Sequence, residues 1–141
     1  MTNFLQLAGI RLGATASSRE EAVRLCGELL KSLGAVEDSY IDAMWERENI
    51  ISSFMGEGVA IPHGTDASRA AVIFTQLVFV RFANEVDWDG EKVRLCIGIA
   101  AKGDEHGEVL GNLADKLLDP TSYKKLMESD STTELLELLN V

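Results

Sequence analysis

Proline and cysteine are scarce in this 141-residue chain, with two of each. Two thiols cannot staple a small disulfide scaffold, and Cys26 and Cys96 both lie in apolar surroundings, so they read as buried core residues. Basic residues are also few, 13 Lys and Arg against 23 Asp and Glu, for a net charge of −10. That balance argues against nucleic acid, whose binding draws on cations set against phosphates. It also argues against anionic lipid surfaces, and it favours a basic protein partner. Long hydrophobic runs are missing as well. The longest, residues 70–80, is broken by Thr75 and Gln76 and falls far short of the roughly 20 residues of a membrane span. The first residues lack the basic start and apolar stretch of a secretory leader, so the chain reads as cytoplasmic with no membrane insertion. There is no P-loop, no GxGxxG, no CxxC and no HExxH, hence no motif for a nucleotide or a zinc ion. The reading calls for no metal and no cofactor.

The sequence that is present reads as one globular domain spanning residues 1–141, without repeats or a linker. A first strand is expected over residues 5–12. Ser18 and Glu21 have capping-box spacing, and Ala22, Leu25, Cys26, Leu29, Leu30 and Leu33 follow at helical intervals until Gly34. A second helix is predicted over 37–48, with Tyr40, Met44 and Arg47 on one side, then a loop over 49–58. Residues 59–61 form a short strand that Pro62 must end or leave at an edge. Residues 71–82 and 93–101 read as apolar strands, separated by a turn at Asp89-Gly90. A helix starts at Glu105 and closes at Asp119-Pro120. Two more are expected at 122–128 and 132–139, the last capped by Thr132. Strands interleaved with helices imply an α/β sandwich.

Residues 56–65, Gly-Glu-Gly-Val-Ala-Ile-Pro-His-Gly-Thr, hold the most informative pattern. Pro62 holds Ile61 extended, His63 follows, and Gly64 lets backbone approach a ligand closely. One imidazole thus sits at the end of a rigid strand, near backbone N–H groups able to steady a transferring phosphoryl group. Histidine suits that chemistry because much of it is neutral and nucleophilic near pH 7. The pattern alone equally accommodates a hydrogen-bonded turn histidine. His106, the only other histidine, falls at a helix start. There it either donates to a phosphoryl oxygen or bonds a neighbouring carbonyl. Arg47 either forks onto phosphate oxygens or pairs on the surface with Glu46 or Glu48. Asp87 and Asp89, flanking Trp88, read as solvated turn residues.

Three segments together resemble the EIIA domain of the mannitol/fructose phosphotransferase family. They are Arg-Glu-Asn-Ile at 47–50, Phe-Met-Gly-Glu-Gly-Val-Ala-Ile-Pro-His-Gly-Thr at 54–65, and Cys-Ile-Gly-Ile-Ala-Ala-Lys-Gly-Asp-Glu-His at 96–106. The resemblance covers nearly the whole chain, and the segment before His106 looks most like the mannitol branch. It implies a mixed central β-sheet sandwiched by helices on both faces. It further implies that His63 accepts phosphate from the phosphocarrier HPr and passes it to a cysteine of an EIIB component on a separate chain. His106 would hydrogen-bond the phosphoryl group or orient the first imidazole, and Arg47 would steady its charge. No direct sugar binding is implied, since in this family the membrane component binds the sugar. A regulatory relative of the nitrogen type, whose phosphorylation state controls a protein partner, would keep the same His63.

Overall fold

The computed structural model describes residues 4–140. Five strands form one sheet in the order β1-β4-β5-β3-β2, where β1 is Leu5–Ala14, β2 Phe54–Gly56, β3 Val59–Ala60, β4 Gln76–Trp88 and β5 Glu91–Ala100. The sheet is mixed: β1 with β4 and β3 with β5 are parallel, whereas β4–β5 and β2–β3 are antiparallel. The apolar run of β4 reads continuously because both of its faces are covered. Val78, Val80 and Phe82 pack on α1 (Arg19–Ser32) and α2 (Ser39–Ile50) through Ala22, Val23, Cys26, Leu30 and Met44. Leu77 and Phe79, with Leu95, Ile97 and Ile99 of β5, face the other way. They meet Val109, Leu113, Leu126, Leu135 and Leu139 from α3 (Glu105–Leu118), α4 (Pro120–Glu128) and α5 (Thr132–Leu139). The expected α/β sandwich with helices on both faces is therefore the architecture observed.

Packing is tight where α1 and β4 meet Gly98 of β5. A Cβ on Gly98 would lie 2.7 Å from Val78 Cγ2 and 2.9 Å from Cys26 Cβ. Cys26 and Cys96 are free and fully buried, and burial pushes the Cys96 thiol well above the ordinary range. Among the described residues no helix is long and apolar enough to cross a membrane.

Several boundaries move for identifiable reasons. Residues 49–58 are not all loop. Positive φ at Gly56, Glu57 and Gly58 folds a tight turn that pairs Phe54 with Ala60. The strand expected from residue 71 begins at Gln76, because Asp66–Ala71 winds a short 3₁₀ helix first. It then runs on to Trp88, which is buried. The turn reduces to Asp89-Gly90, both at positive φ, the two-residue hairpin that Asp-Gly favours. The second helix begins at Ser39, two residues late. Ser131 rather than Thr132 caps α5, its side chain accepting from the Glu134 N–H at 3.1 Å.

Candidate active site

His63 lies just beyond β3, and Pro62 does end that strand, but the segment stays registered on β5. His63 bridges Ile99 in parallel fashion, the Ile99 N–H donates to the Pro62 carbonyl at 2.9 Å, and the Ile61 N–H donates to Ser53 at 3.0 Å. Proline contributes its carbonyl, so its missing N–H costs nothing here. His63 Nδ1 is 2.9 Å from the Ile61 carbonyl. A carbonyl only accepts, which places the proton on Nδ1 and leaves Nε2 bare in the neutral ring. Burial lowers the His63 pKa below its usual 6.5, and the Arg47 charge adds to this; the Ile61 bond, Glu48 and Asp66 oppose it.

Tyr40 of α2 fixes the next residue. Its hydroxyl accepts from the Gly64 N–H at 2.9 Å and donates to the Ile99 carbonyl at 2.8 Å. Burial raises the phenol pKa, so the donor proton is retained. The ring lies against Gly64 so closely that a Cβ there would be 2.5 Å from Tyr40 Cε1 and 2.5 Å from Ser68 Oγ. Glycine is required at 64 for space rather than for backbone freedom.

His106, the second residue of α3, faces His63 with ring centroids 5.1 Å apart and planes tilted by 57°. Its pKa is also lowered, first by burial and then by His63 and Arg69. Thr75 holds the approach to α3, donating to Glu105 at 2.6 Å and accepting from the Lys102 N–H at 2.9 Å. Arg47 lies in the last turn of α2 and donates to the Ile51 carbonyl at 2.6 Å. No carboxylate among the described residues lies within ion-pair distance of it, which removes the surface pair with Glu46 or Glu48. The three residues singled out in the sequence thus line one cavity of about 390 Å³, together with Tyr40, Arg69 and Asp66.

Glu48 has a different place from the one its sequence suggested. It is buried, accepting from the Ser53 N–H (3.0 Å), the Ser53 hydroxyl (2.5 Å) and Trp88 Nε1 (3.1 Å), with Arg19 3.8 Å away. Since the Ser53 carbonyl in turn receives the Ile61 N–H, Glu48 supports the strand that carries His63. No local pattern announces this role, because its partners come from α1, the β2 approach and the end of β4. Tyr40 was legible only as a neighbour of Arg47 on one helix face.

Similarity to known proteins agrees with this geometry. The model of the family described as "Phosphoenolpyruvate-dependent sugar phosphotransferase system, EIIA 2" matches residues 3–141. A mannitol-specific phosphotransferase enzyme IIA component of Halalkalibacterium halodurans is 40% identical over 136 residues, covering 96% of this chain and 94% of that protein. The crystal structure of IIA mannitol from Escherichia coli superposes with a TM-score of 0.85 at 37% identity, covering 95% of this chain and 97% of that one. A chain from the complex of Escherichia coli enzyme IIA mannitol with phosphorylated enzyme IIB mannitol gives 0.86 at 36%, covering 96% and 97%. This chain, with its paired histidines just beyond the ends of β3 and β5, belongs to the EIIA type 2 family of the phosphoenolpyruvate-dependent sugar phosphotransferase system.

Proposed function

We propose that this chain is a single cytoplasmic EIIA domain that takes phosphate from HPr on His63 and hands it to a cysteine of a separate EIIB protein, in uptake of mannitol or a closely related sugar. The observation that carries the reading is the Nδ1 contact to the Ile61 carbonyl, which turns a bare Nε2 toward a cavity shared with His106 and Arg47. The mannitol assignment rests on the mannitol-specific relatives named above.

In the forward step the Nε2 lone pair of neutral His63 bonds to phosphorus as the N–P bond of the donor phosphohistidine breaks. The breaking pair returns to the donor nitrogen. No proton has to move, because the Nδ1–H remains on the Ile61 carbonyl and supports the positive character of the phosphorylated ring. Burial holds His63 neutral before transfer, and Arg47 offers a guanidinium to the dianionic oxygens. His106, kept neutral by the same surroundings, donates one hydrogen bond to the phosphoryl group. In the second step an EIIB thiolate attacks phosphorus and the N–P pair returns to Nε2. Exposed Ile50 and Ile51, three and four residues after Arg47, give both partner proteins an apolar rim to dock on.

The test is incubation with phosphorylated HPr, followed by mannitol-class EIIB. Rapid labelling followed by loss of label to EIIB supports the transport role. A chain that labels but passes phosphate to no EIIB points instead to the regulatory role.

A further inference from the structure

We infer that Arg69 is a second phosphoryl-binding residue of this site, a reading that rests on His63 as the phosphate acceptor. Arg69 stands in the 3₁₀ helix that follows His63 and lines the same cavity as His63, His106 and Arg47.

The way it is held sets it apart from other arginines. Arg81 is buried against the Leu126 carbonyl at 3.0 Å and the Ser129 carbonyl, which fixes the end of α4. Arg24 is paired at 2.9 Å and 2.8 Å with two carboxylates. Arg19 lies 5.0 Å over the Trp45 ring and 3.0 Å from Asp89. Arg69 has only long contacts, 3.4 Å to the Gly103 carbonyl and 3.4 Å to Asp66, whose carboxylate is almost fully exposed. An exposed pair of that kind contributes little and yields readily to a stronger anion. A guanidinium carries five donors in a planar fork, so most of the Arg69 donors remain open to phosphoryl oxygens.

Charge balance points the same way. A phosphoryl dianion on His63 would face Arg47, Arg69, neutral His106 and the Asp66 carboxylate, with Glu48 buried behind the ring. Arg47 alone leaves that set negative, in a protein whose net charge is already −10. A second guanidinium offsets one further unit of that excess negative charge. The Arg69 charge already reaches the site, since it adds to the lowering of the His106 pKa and opposes part of the burial-driven rise at Tyr40.

The experiment phosphorylates the full chain with phosphorylated HPr and follows both the transfer rate and the ³¹P resonance of the phosphohistidine against pH. Losing one charge-assisted hydrogen bond corresponds to about a tenfold fall in kcat/KM for Arg69→Gln, at an unchanged thermal midpoint. The pH at which the phosphoryl resonance titrates should rise in Arg69→Gln, return toward wild type in Arg69→Lys, and fall in Asp66→Asn. An Arg69→Gln chain whose rate and resonance match wild type overturns the inference. So does a raised KM with an unmoved resonance, because Arg69 would then touch the partner protein and not the phosphoryl group. A wild-type chain that yields no phosphohistidine overturns the His63 assignment itself, a failure distinct from the other two.

Discussion

Replacing Tyr40 by Phe removes one oxygen and tests how the site is positioned. The phenyl ring keeps its packing, but the Gly64 N–H and the Ile99 carbonyl each lose a partner, at 2.9 Å and 2.8 Å. An unpaired buried polar group costs about 1–3 kcal/mol. Ile99 is fully buried, whereas Gly64 is half-buried and can recruit water, so the expected loss is about 2 kcal/mol in total. With an unfolding entropy of about 2.1 cal/mol/K per residue over 141 residues, that lowers Tm by about 7 °C. The functional loss should be larger than stability explains. The hydroxyl ties α2, which carries Arg47, to the exit of His63 and to the strand that leads toward His106. A misplacement near 1 Å costs about a hundredfold in rate. Phosphoryl acceptance from HPr should therefore fall by about ten- to a hundredfold at a temperature where the variant is fully folded. A folded Tyr40→Phe chain that accepts phosphate at the wild-type rate would refute the positioning argument, and an unchanged Tm would refute the hydrogen-bond accounting.

Three further outcomes follow from the same contacts. Glu48→Ala strips the partners from Ser53 and Trp88 and should cost about 3 kcal/mol in urea unfolding. Glu48→Gln can keep all three bonds, its oxygen accepting both N–H groups and its amide donating to the Ser53 hydroxyl; equal losses in the two variants would contradict this pairing. Gly98→Ala forces a methyl against Val78 and Cys26 and should cost about 1–3 kcal/mol, so an unchanged denaturation midpoint would show that α1 can shift freely. For pH, both histidines have folded pKa values below 6.5, so the unfolded chain protonates first as pH falls. Their contribution to stability is full above pH 6.5 and is lost as pH drops through 6.5 toward the folded values. Phosphoryl acceptance, which needs a bare Nε2, should persist below pH 6.5, and an acceptance midpoint at or above 6.5 would contradict the burial argument.

The layers of this fold were legible because their causes are local. The capping serine and apolar spacing of α1, the Asp-Gly turn and the two apolar strands each act within a few residues. The Ser18 hydroxyl does accept the Glu21 N–H, although Glu21 takes the Ser17 hydroxyl at 2.6 Å rather than closing a reciprocal box. The Pro-His-Gly unit was legible for the same reason. The supports of the site were not, because they cross the fold. Tyr40 meets Gly64 and Ile99, and Glu48 meets Trp88, across separations that no periodicity encodes. Residues 71–75 depart from the expected strand although Val72, Ile73 and Phe74 have strand-like composition. The chain first turns back through the 3₁₀ helix, and Val72 then bridges Val36 instead of joining β4.

The most direct measurement is heteronuclear NMR of the chain after phosphorylation by HPr, locating phosphorus on a particular ring nitrogen. One phosphoryl group on Nε2 of His63, with the Nδ1 proton retained and no labelling of His63→Ala, is the result predicted here. Phosphate on Nδ1, on His106, or on a His63→Ala chain would contradict it.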